Sequence, residues 1–524
     1  MTISFDLIDK PWIPCIWLNG KQDELSLRDV FAQAPELREI RGDSPLETAS
    51  LHRLLLAVLH RVFGPKDRSA WVKLWEQKHF DVPRIETYLY QKSIYQRFNL
   101  FDARSPFYQS RDPGAGKKSV ISLVLEMASG NNATLFDHHT EDGGTALTPA
   151  QAARALITSQ AFGVGGTNPP TGNFTDAPCA KGVIFLGRGD NLFYTLMLNL
   201  VRYGGEDPIP NDHDDRPAWE MDDPFKPERT KPKGYLDYLT WQNRRIWLFP
   251  EETLEGVVVK QMCWATGLRL DVKNIDPMKQ YIPDRQDGWK ILSFRDDRAL
   301  WRDSATLLRL SDKSRPPKVV SWMANLTQRG TLDSRHQYNL MALGMAKGKP
   351  KAASLNFFRA ESLPLNPVFL VNDEQVSHLS QALEAAEGTA TQLHEATFTL
   401  ARLILNPTIT DRDLDSKPKK EERERIQPLA DSWATERYYW SGLELYFQQL
   451  VRDLPAGPQS ALKEWRGQLR RTARAAFGQA EAYAGADRRT HRAIFKARDQ
   501  FEYGLKRILQ EPNGTQSNNG GEKQ

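Results

Sequence analysis

The stretch that decides the fold is VSHLSQALEAAEGTATQLHEATFTLARL, residues 376–403. Its apolar residues recur at spacings of three and four, which is typical of one buried face of a long α-helix. The positions that carry this pattern are Val376, Leu379, Leu383, Ala386, Ala390, Leu393, Leu400 and Leu403. Most of a helix's stability in a protein comes from packing such a face, so we expect partner helices.

Partner helices are indicated by the sequence that follows. Three amphipathic stretches lie at about 428–452, 458–482 and 487–510. Together with the first helix they predict a four-helix bundle over 367–511. The charged segment DRDLDSKPKKEERER, residues 411–425, is expected to be an exposed loop. The polar tail 512–524 is low in complexity and is expected to be disordered.

Residues 1–366 have a different sequence pattern: short segments typical of helices and strands alternate with long connections rich in proline and glycine. Asn19-Gly20 predicts a hairpin turn. Ser44 and Pro45 predict the start of a buried helix, and TWQNRRIWLFP and LEGVVVKQMCWA read as adjacent strands. A regular alternation of strands and helices is not apparent. The fold class is therefore α+β: an irregular mixed α/β N-terminal domain followed by the four-helix bundle.

The composition is that of a globular cytoplasmic protein. No stretch reaches the roughly 18 apolar residues of a membrane span, and the N-terminus has no signal-peptide pattern. The cysteines Cys15, Cys179 and Cys263 are isolated, which argues against disulfides and structural zinc. Charge is segregated: residues 461–510 carry 12 Lys/Arg against five Asp/Glu, whereas 205–223 carry eight acids and one arginine. A charged partner and an ordinary solvated surface both fit this distribution.

The motifs of catalysis are mostly missing. The glycine-rich stretch QAFGVGGTNPPTGNFTDAPCAKG, residues 160–182, matches neither a phosphate-binding P-loop nor a dinucleotide fingerprint. The segment LFDHHTEDGG, 135–144, collects Asp137, His138, His139, Glu141 and Asp142. A polar loop is the favoured interpretation, and a metal-dependent hydrolase or nuclease is the alternative. We therefore expect no enzyme activity, no cofactor and no metal.

Basic side chains form stripes on two of the predicted bundle helices. They are Arg470, Arg471, Arg474, Arg488, Arg489, Arg492 and Lys496. A solvated face would have this pattern, and so would a surface that contacts the phosphates of a nucleic acid.

Several segments, in the same order, resemble the CasA family, the large subunit of the type I-E CRISPR surveillance complex Cascade. They are DLIDKPWIP, SGNNATLFDHH, AFGVGGTNPPTG, YLTWQNRRIWL and the helical C-terminal third. The resemblance implies a non-catalytic subunit that binds other Cascade subunits and CRISPR RNA. It implies that this subunit inspects double-stranded target DNA for a short protospacer-adjacent motif (PAM), helps to open the duplex and docks a helicase–nuclease. Sequence beyond the PAM is read by base pairing.

The resemblance also implies roles for particular residues. Gly163, Gly165 and Gly166 match a loop that enters the minor groove, with Gly166 as the position that cannot bear a side chain. Phe136 matches the aromatic residue of a flexible loop. Lys279, with Lys273 as competitor, matches a lysine that reaches into the groove. The stretch ALGMAKGKPKAAS matches a wedge and offers Lys349 and Lys351, but it lacks the glutamine of the best-known members.

Two rival functions stay open at this point. One is the metal-dependent hydrolase or nuclease built on Asp137, His138, His139 and Glu141. The other is a protein-only scaffold or adaptor whose bundle binds a partner without touching DNA.

Overall fold

The protein divides into two compact units, Met1–Val371 and Asn372–Gln524. The computed structural model describes the following residues: 3–127, 145–168, 172–203, 209, 212–271, 275–284, 288–295, 298–308, 315–347, 355–414, 416–485 and 487–510. The first unit combines small antiparallel sheets with helices, and the second is helical where it is described. The predicted α+β class is confirmed.

The described strands all belong to the first unit. They are β1 (Ile13–Trp17), β2 (Gln22–Leu25), β3 (Leu37–Ile40), β4 (Lys117–Ser119), β5 (Gly166–Asn168), β6 (Gly172–Phe174), β7 (Val183–Arg188), β8 (Arg244–Thr253), β9 (Gly256–Thr266), β10 (Tyr281–Asp284), β11 (Gly288–Ile291), β12 (Tyr338–Lys347) and β13 (Leu355–Leu365).

The helices of the first unit are mostly short. They are α1 (Leu27–Ala32), α2 (Pro45–Val62), α3 (Arg68–Gln77), α4 (Val82–Leu89), α5 (Lys92–Tyr95), α6 (Pro149–Phe162), α7 (Leu192–Asn199), α8 (Tyr235–Leu239), α9 (Ser304–Leu308) and α10 (Lys318–Gln328). Those of the second unit are α11 (Asp373–Leu405), α12 (Asp411–Leu414), α13 (Lys420–Ser432), α14 (Thr435–Asp453), α15 (Pro458–Ala484) and α16 (Arg488–Ile508).

Helix α2 lies at the centre of the first unit. The Ser44 side chain accepts from the Glu47 amide and Pro45 opens the helix, which confirms the predicted N-cap. The predicted burial of this helix is confirmed, and the polar residues His52 and Arg53 are buried as well. The reason is that α6, α7, α8 and strand β12 surround the helix.

The strands form small antiparallel sheets around this helix. Their orders are β2–β1–β3, β13–β12–β7, β4–β9–β8, β10–β11 and β5–β6. The Asn19-Gly20 turn joins β1 to β2, and Gly20 has φ +87°, a conformation that glycine adopts without strain. Strands β8 and β9 pair from Arg244–Thr266 to Thr253–Gly256, so the predicted adjacent strands are confirmed.

The second unit is organised around the 33-residue helix α11, which packs against α13, α14, α15 and α16. Its predicted apolar residues are buried. Two side chains from neighbouring helices also donate to its main chain: Trp465 Nε1 lies 2.8 Å from the Ala382 oxygen, and Tyr439 Oη lies 3.0 Å from the Ala386 oxygen. Within the described residues, no helix is both long and apolar enough to cross a membrane.

Two predictions in this unit were wrong. The stretch 428–452 is not one helix, because Ala434 adopts a left-handed conformation (φ +50°) between α13 and α14. The segment 411–425 is mostly exposed where it is described, as expected, but it contains α12 and the start of α13 and is not a loop throughout. Buried Arg402 explains this order, since it donates to the main-chain oxygens of Leu414 and Ser416, both at 3.0 Å, and pairs with Glu422.

The packing around α11 predicts a large difference between two leucine truncations. Leu393 is fully buried, so Leu393→Ala should lower the free energy of unfolding by about 2–5 kcal/mol. Leu445 on α14 is 76% exposed, so Leu445→Ala should change it by less than about 0.5 kcal/mol. Denaturant titration followed by circular dichroism measures both. Equal effects of the two substitutions would contradict the central position of α11.

Candidate nucleic-acid interface

The glycine-rich stretch forms the base of a short hairpin. Helix α6 ends at Phe162, and β5 then pairs antiparallel with β6, with Gly166 opposite Phe174 and Asn168 opposite Gly172. We call β5 and β6 the glycine hairpin. Gly172 (φ +97°) and Asn173 are exposed, whereas the Phe174 ring is buried and lies edge-on to Trp264 at a centroid distance of 5.1 Å.

The glycines of this stretch have different local requirements. A Cβ atom on Gly163 would lie 2.6 Å from the main-chain oxygen of Ser159, closer than any real Cβ contact. One on Gly165 would lie 3.1 Å from the Phe174 oxygen, and the Gly165 amide donates to Asp176 Oδ1 at 2.8 Å. The fold itself therefore excludes a side chain at Gly163, whereas a Cβ at Gly165 would only crowd the Phe174 oxygen. Gly166 is half-buried within β5.

Arg244 holds the base of the glycine hairpin. It is 1% exposed; Nη2 donates to the Val164 oxygen and Nη1 to the Thr175 oxygen, both at 2.9 Å. These oxygens lie just before β5 and just after β6. The Arg244 main chain is paired with the Gln160 amide group at 2.9 and 2.8 Å. Burial lowers the pKa of the guanidinium to about 9, opposed by the charge of Asp176.

Lys279 is a buried structural residue, and the prediction that it reaches into a minor groove is corrected. It is 4% exposed, and its Nζ donates to the Pro178 oxygen at 2.6 Å and lies 3.5 Å from Asp276 Oδ2. Asp276 is also buried and accepts from the Tyr238 hydroxyl at 2.7 Å. The ammonium group is thus used inside the protein, where it fixes the chain that follows the glycine hairpin.

That connecting chain leads directly to a second, longer hairpin. It passes through Gly182 (φ +84°) into β7, which pairs with β12 from Val183 opposite Gly344. Strands β12 and β13 pair over their lengths, with Tyr338 opposite Leu365 and Lys347 opposite Leu355. We call β12 and β13 the long hairpin. Both hairpins are therefore connected within the first unit, through β7 and the chain that leads into it.

Several predicted site residues lie outside the described part of the chain. They are Phe136, Asp137, His138, His139, Glu141, Asp142, Lys273, Lys349 and Lys351. Among the residues that are described, no group of three or more His, Cys, Asp or Glu side chains is placed to hold a metal ion.

The predicted basic residues of the second unit fall into two groups. Arg474 makes a bidentate pair with Glu502 at 2.8 and 2.6 Å, and Arg471 lies 3.6 Å from Glu464. Arg488, Arg489 and Arg492 are exposed at the start of α16, and Arg470 and Lys496 are half-buried. Three of the predicted arginines thus expose their side chains at the first turns of α16.

Sequence reasoning missed two aromatic residues on the same helix. Phe495 is 76% and Tyr503 is 71% exposed, and both lie opposite the buried residues Ala497 and Phe501. At 100° per residue Arg492, Phe495 and Tyr503 fall on one side of α16, so helical spacing alone would have identified them. This stripe combines positive charge with aromatic surface.

Described members of the acidic segment 205–223 have structural contacts. Asp215 accepts from the Leu236 and Asp237 amides at the start of α8, both at 2.9 Å. Glu220 pairs with Arg61 at 2.7 Å and accepts from the Tyr88 hydroxyl.

The fold and this site together define the class of the protein: an α+β chain in two compact units, whose first unit carries the glycine hairpin, held by buried Arg244, and the long hairpin, paired with β7. Within that class, the chain belongs to the family of the CRISPR-associated protein Cse1, whose model matches residues 6–476.

Known relatives cover nearly the whole chain. The CRISPR-associated protein CasA/Cse1 of Thermus thermophilus is 33% identical over 513 residues, 95% of this chain and 96% of the relative. The crystal structure of Cse1 from Acidimicrobium ferrooxidans has a TM-score of 0.81 at 25% identity, covering 97% of this chain and 98% of that one. A chain of a CRISPR RNA-guided surveillance complex shares the fold, with a TM-score of 0.73 at 20% identity and coverage of 95% and 99%.

The burial of Lys279 generates a prediction about stability. Lys279→Met should lower the free energy of unfolding by about 3 kcal/mol, because Asp276 loses a partner in a buried site. Lys290→Met, at an exposed position on β11, should change it by less than about 0.5 kcal/mol. Denaturant unfolding compares the two. A Lys279→Met protein of unchanged stability but weakened DNA binding would restore the groove-contact role.

Proposed function

We propose that this chain is the non-catalytic DNA-recognition subunit of an RNA-guided CRISPR complex of the type I-E Cascade kind. In this role it binds other subunits and the CRISPR RNA and reads the PAM of double-stranded DNA through the minor groove. It then helps to open the duplex and to recruit a helicase–nuclease. Membership of the Cse1 family supports the proposal, and the observation that carries it is the glycine hairpin on its buried base.

The glycine hairpin suits a minor-groove reader. The minor groove of B-DNA is only about 6 Å wide, so main chain without Cβ atoms approaches the base edges more closely than side chains allow. Gly166 and Gly172 bring main chain without Cβ atoms to the glycine hairpin, and Asn173 adds one amide side chain. Readout in this groove separates mainly A·T from G·C pairs, so a reader of this kind should accept several related PAMs.

Opening of the duplex is assigned to the long hairpin. Ten residues of each strand are paired, which supplies a stiff support for the segment between them. That segment includes Lys349 and Lys351, whose role we propose from sequence. Inserting a turn between base pairs unstacks one step at a cost of a few kcal/mol. The contact of Phe136 with the PAM region or the RNA end is proposed on the same ground.

The start of α16 is proposed to contact DNA phosphates. Arg488, Arg489 and Arg492 are exposed and close together on the helix. Each phosphate that such a side chain neutralises releases a counterion, which strengthens binding and makes it salt-dependent. Arg471 and Arg474 contribute less, because each already has a carboxylate partner.

Gly166→Asp tests the groove-reading role. In the guide-loaded complex we expect PAM-dependent affinity to fall about 10- to 100-fold, since a charged side chain would enter the groove that β5 approaches. Gly457→Asp is the matched control, because a Cβ there meets nothing within 4 Å. Binding is measured on matched and PAM-scrambled duplexes with and without the chain. Equal binding of the wild-type complex to both duplexes would leave a scaffold role only.

Charge reversal tests the phosphate contacts of α16. Arg488→Glu combined with Arg489→Glu should weaken DNA binding uniformly across sequences and reduce the salt slope by about 1 for each phosphate that is no longer neutralised. Arg437→Glu, an exposed position on α14, is the control. Filter binding or anisotropy between about 50 and 200 mM salt gives the slopes. Unchanged affinity and slope in the double variant would favour a surface for a protein partner.

A further inference from the structure

Arg244 contacts both ends of the glycine hairpin at once. Its two terminal nitrogens donate to the Val164 and Thr175 oxygens, which belong to the chain entering β5 and the chain leaving β6. Its guanidinium also lies over the Phe174 ring of β6, 4.4 Å from the centroid. One side chain thus contacts the chain before β5, the chain after β6 and the only described aromatic ring of the hairpin.

The position of Arg244 is itself fixed from outside the hairpin. Its main-chain amide and oxygen are both bonded to the Gln160 side chain of α6. Nη1 also donates to the main-chain oxygen of Asn243 at 3.1 Å and contacts the Asn243 side-chain oxygen. Because Arg244 begins the paired strand β8, its position is tied to the β4–β9–β8 sheet. The contacts therefore connect the β4–β9–β8 sheet to the glycine hairpin.

A buried guanidinium is costly unless its donors are satisfied. Here the main-chain oxygens of the hairpin ends and of Asn243 accept from it, and the hairpin-end oxygens, which lie outside the β5–β6 pairing, gain a partner in return. Lysine could not replace this arrangement, because an ammonium lacks the planar fork that reaches two acceptors several ångströms apart. A three-residue strand pair is only marginally stable by itself, so outside contacts must supply its order.

We propose that Arg244 is a positioning residue that holds the glycine hairpin in the orientation required to read DNA. The role rests on the proposed function of the hairpin, although Arg244 itself, being buried, does not touch the DNA. The neighbouring Asp176 assists by accepting from the Gly165 amide and pairing with Lys181 at 3.1 Å.

Hydrogen exchange of main-chain amides tests the positioning role without DNA. In the full-length chain, Arg244→Lys should speed exchange in peptides spanning residues 163–176 at least about tenfold, whereas peptides of α11 should not change. The control is Arg245→Lys: this adjacent residue donates to the Ser110 hydroxyl at 3.2 Å and lies over the Phe225 ring. Asp176→Ala is the second variant if Arg244→Lys does not fold, because Asp176 is only half-buried.

The same variants are then assembled with the guide-loaded complex and tested on matched and PAM-scrambled duplexes. Faster exchange together with about tenfold weaker PAM-dependent binding, and unchanged binding to scrambled DNA, is the expected result. Unchanged exchange in both Arg244→Lys and Asp176→Ala would overturn the proposal. So would faster exchange with full PAM discrimination. If the wild type itself shows no discrimination, the proposed function fails, and exchange alone decides whether Arg244 orders the hairpin.

Discussion

The first unit depends on hydrogen bonds that buried arginines donate to main-chain oxygens. Short strands and long connections leave many carbonyl groups without a ladder partner, and a buried carbonyl without a hydrogen bond is costly. Arg53 donates to the Tyr238 oxygen, Arg154 to the Trp12 oxygen and Arg244 to the Val164 and Thr175 oxygens. A guanidinium has five donors, so each such residue joins segments that are distant in sequence.

A buried cation that donates to a main-chain oxygen also links the two hairpins. Lys279 binds the Pro178 oxygen in the connection between the glycine hairpin and β7, and β7 pairs with β12 of the long hairpin. A displacement of this connection would therefore move the support of both elements. Because Asp276 interacts with both Lys279 and Arg53, the connection is also coupled to the central helix α2. In this unit, buried arginine and lysine side chains hold the hairpins in place, and no large sheet is present among the described residues to do so.

The sequence was sufficient where structure is local. The N-cap at Ser44 and the Asn19-Gly20 turn follow from neighbouring residues, and the β8–β9 pair and helix α11 follow from patterns within one continuous segment. Contacts between distant segments were not predictable. Lys279 was mistaken for a surface residue because its partner oxygen lies 101 positions away, and Arg244 went unnoticed because its acceptors lie 80 and 69 positions away. The order of 411–425 was missed for the same reason, since it depends on Arg402.

The glycines of the glycine-rich stretch do not share one structural role, because their main-chain surroundings differ. Gly163 is required by the close approach of the Ser159 oxygen and Gly172 is favoured by its positive φ, whereas a Cβ at Gly165 would only crowd the Phe174 oxygen at 3.1 Å. The fold alone explains the glycines at 163 and 172, so their presence says little about function. The proposed DNA contact rests instead on the exposed Gly172 and Asn173 and on buried Arg244, which contacts both ends of the glycine hairpin. A loop with the same glycines and no Arg244 would lose more conformational entropy on becoming ordered in any complex.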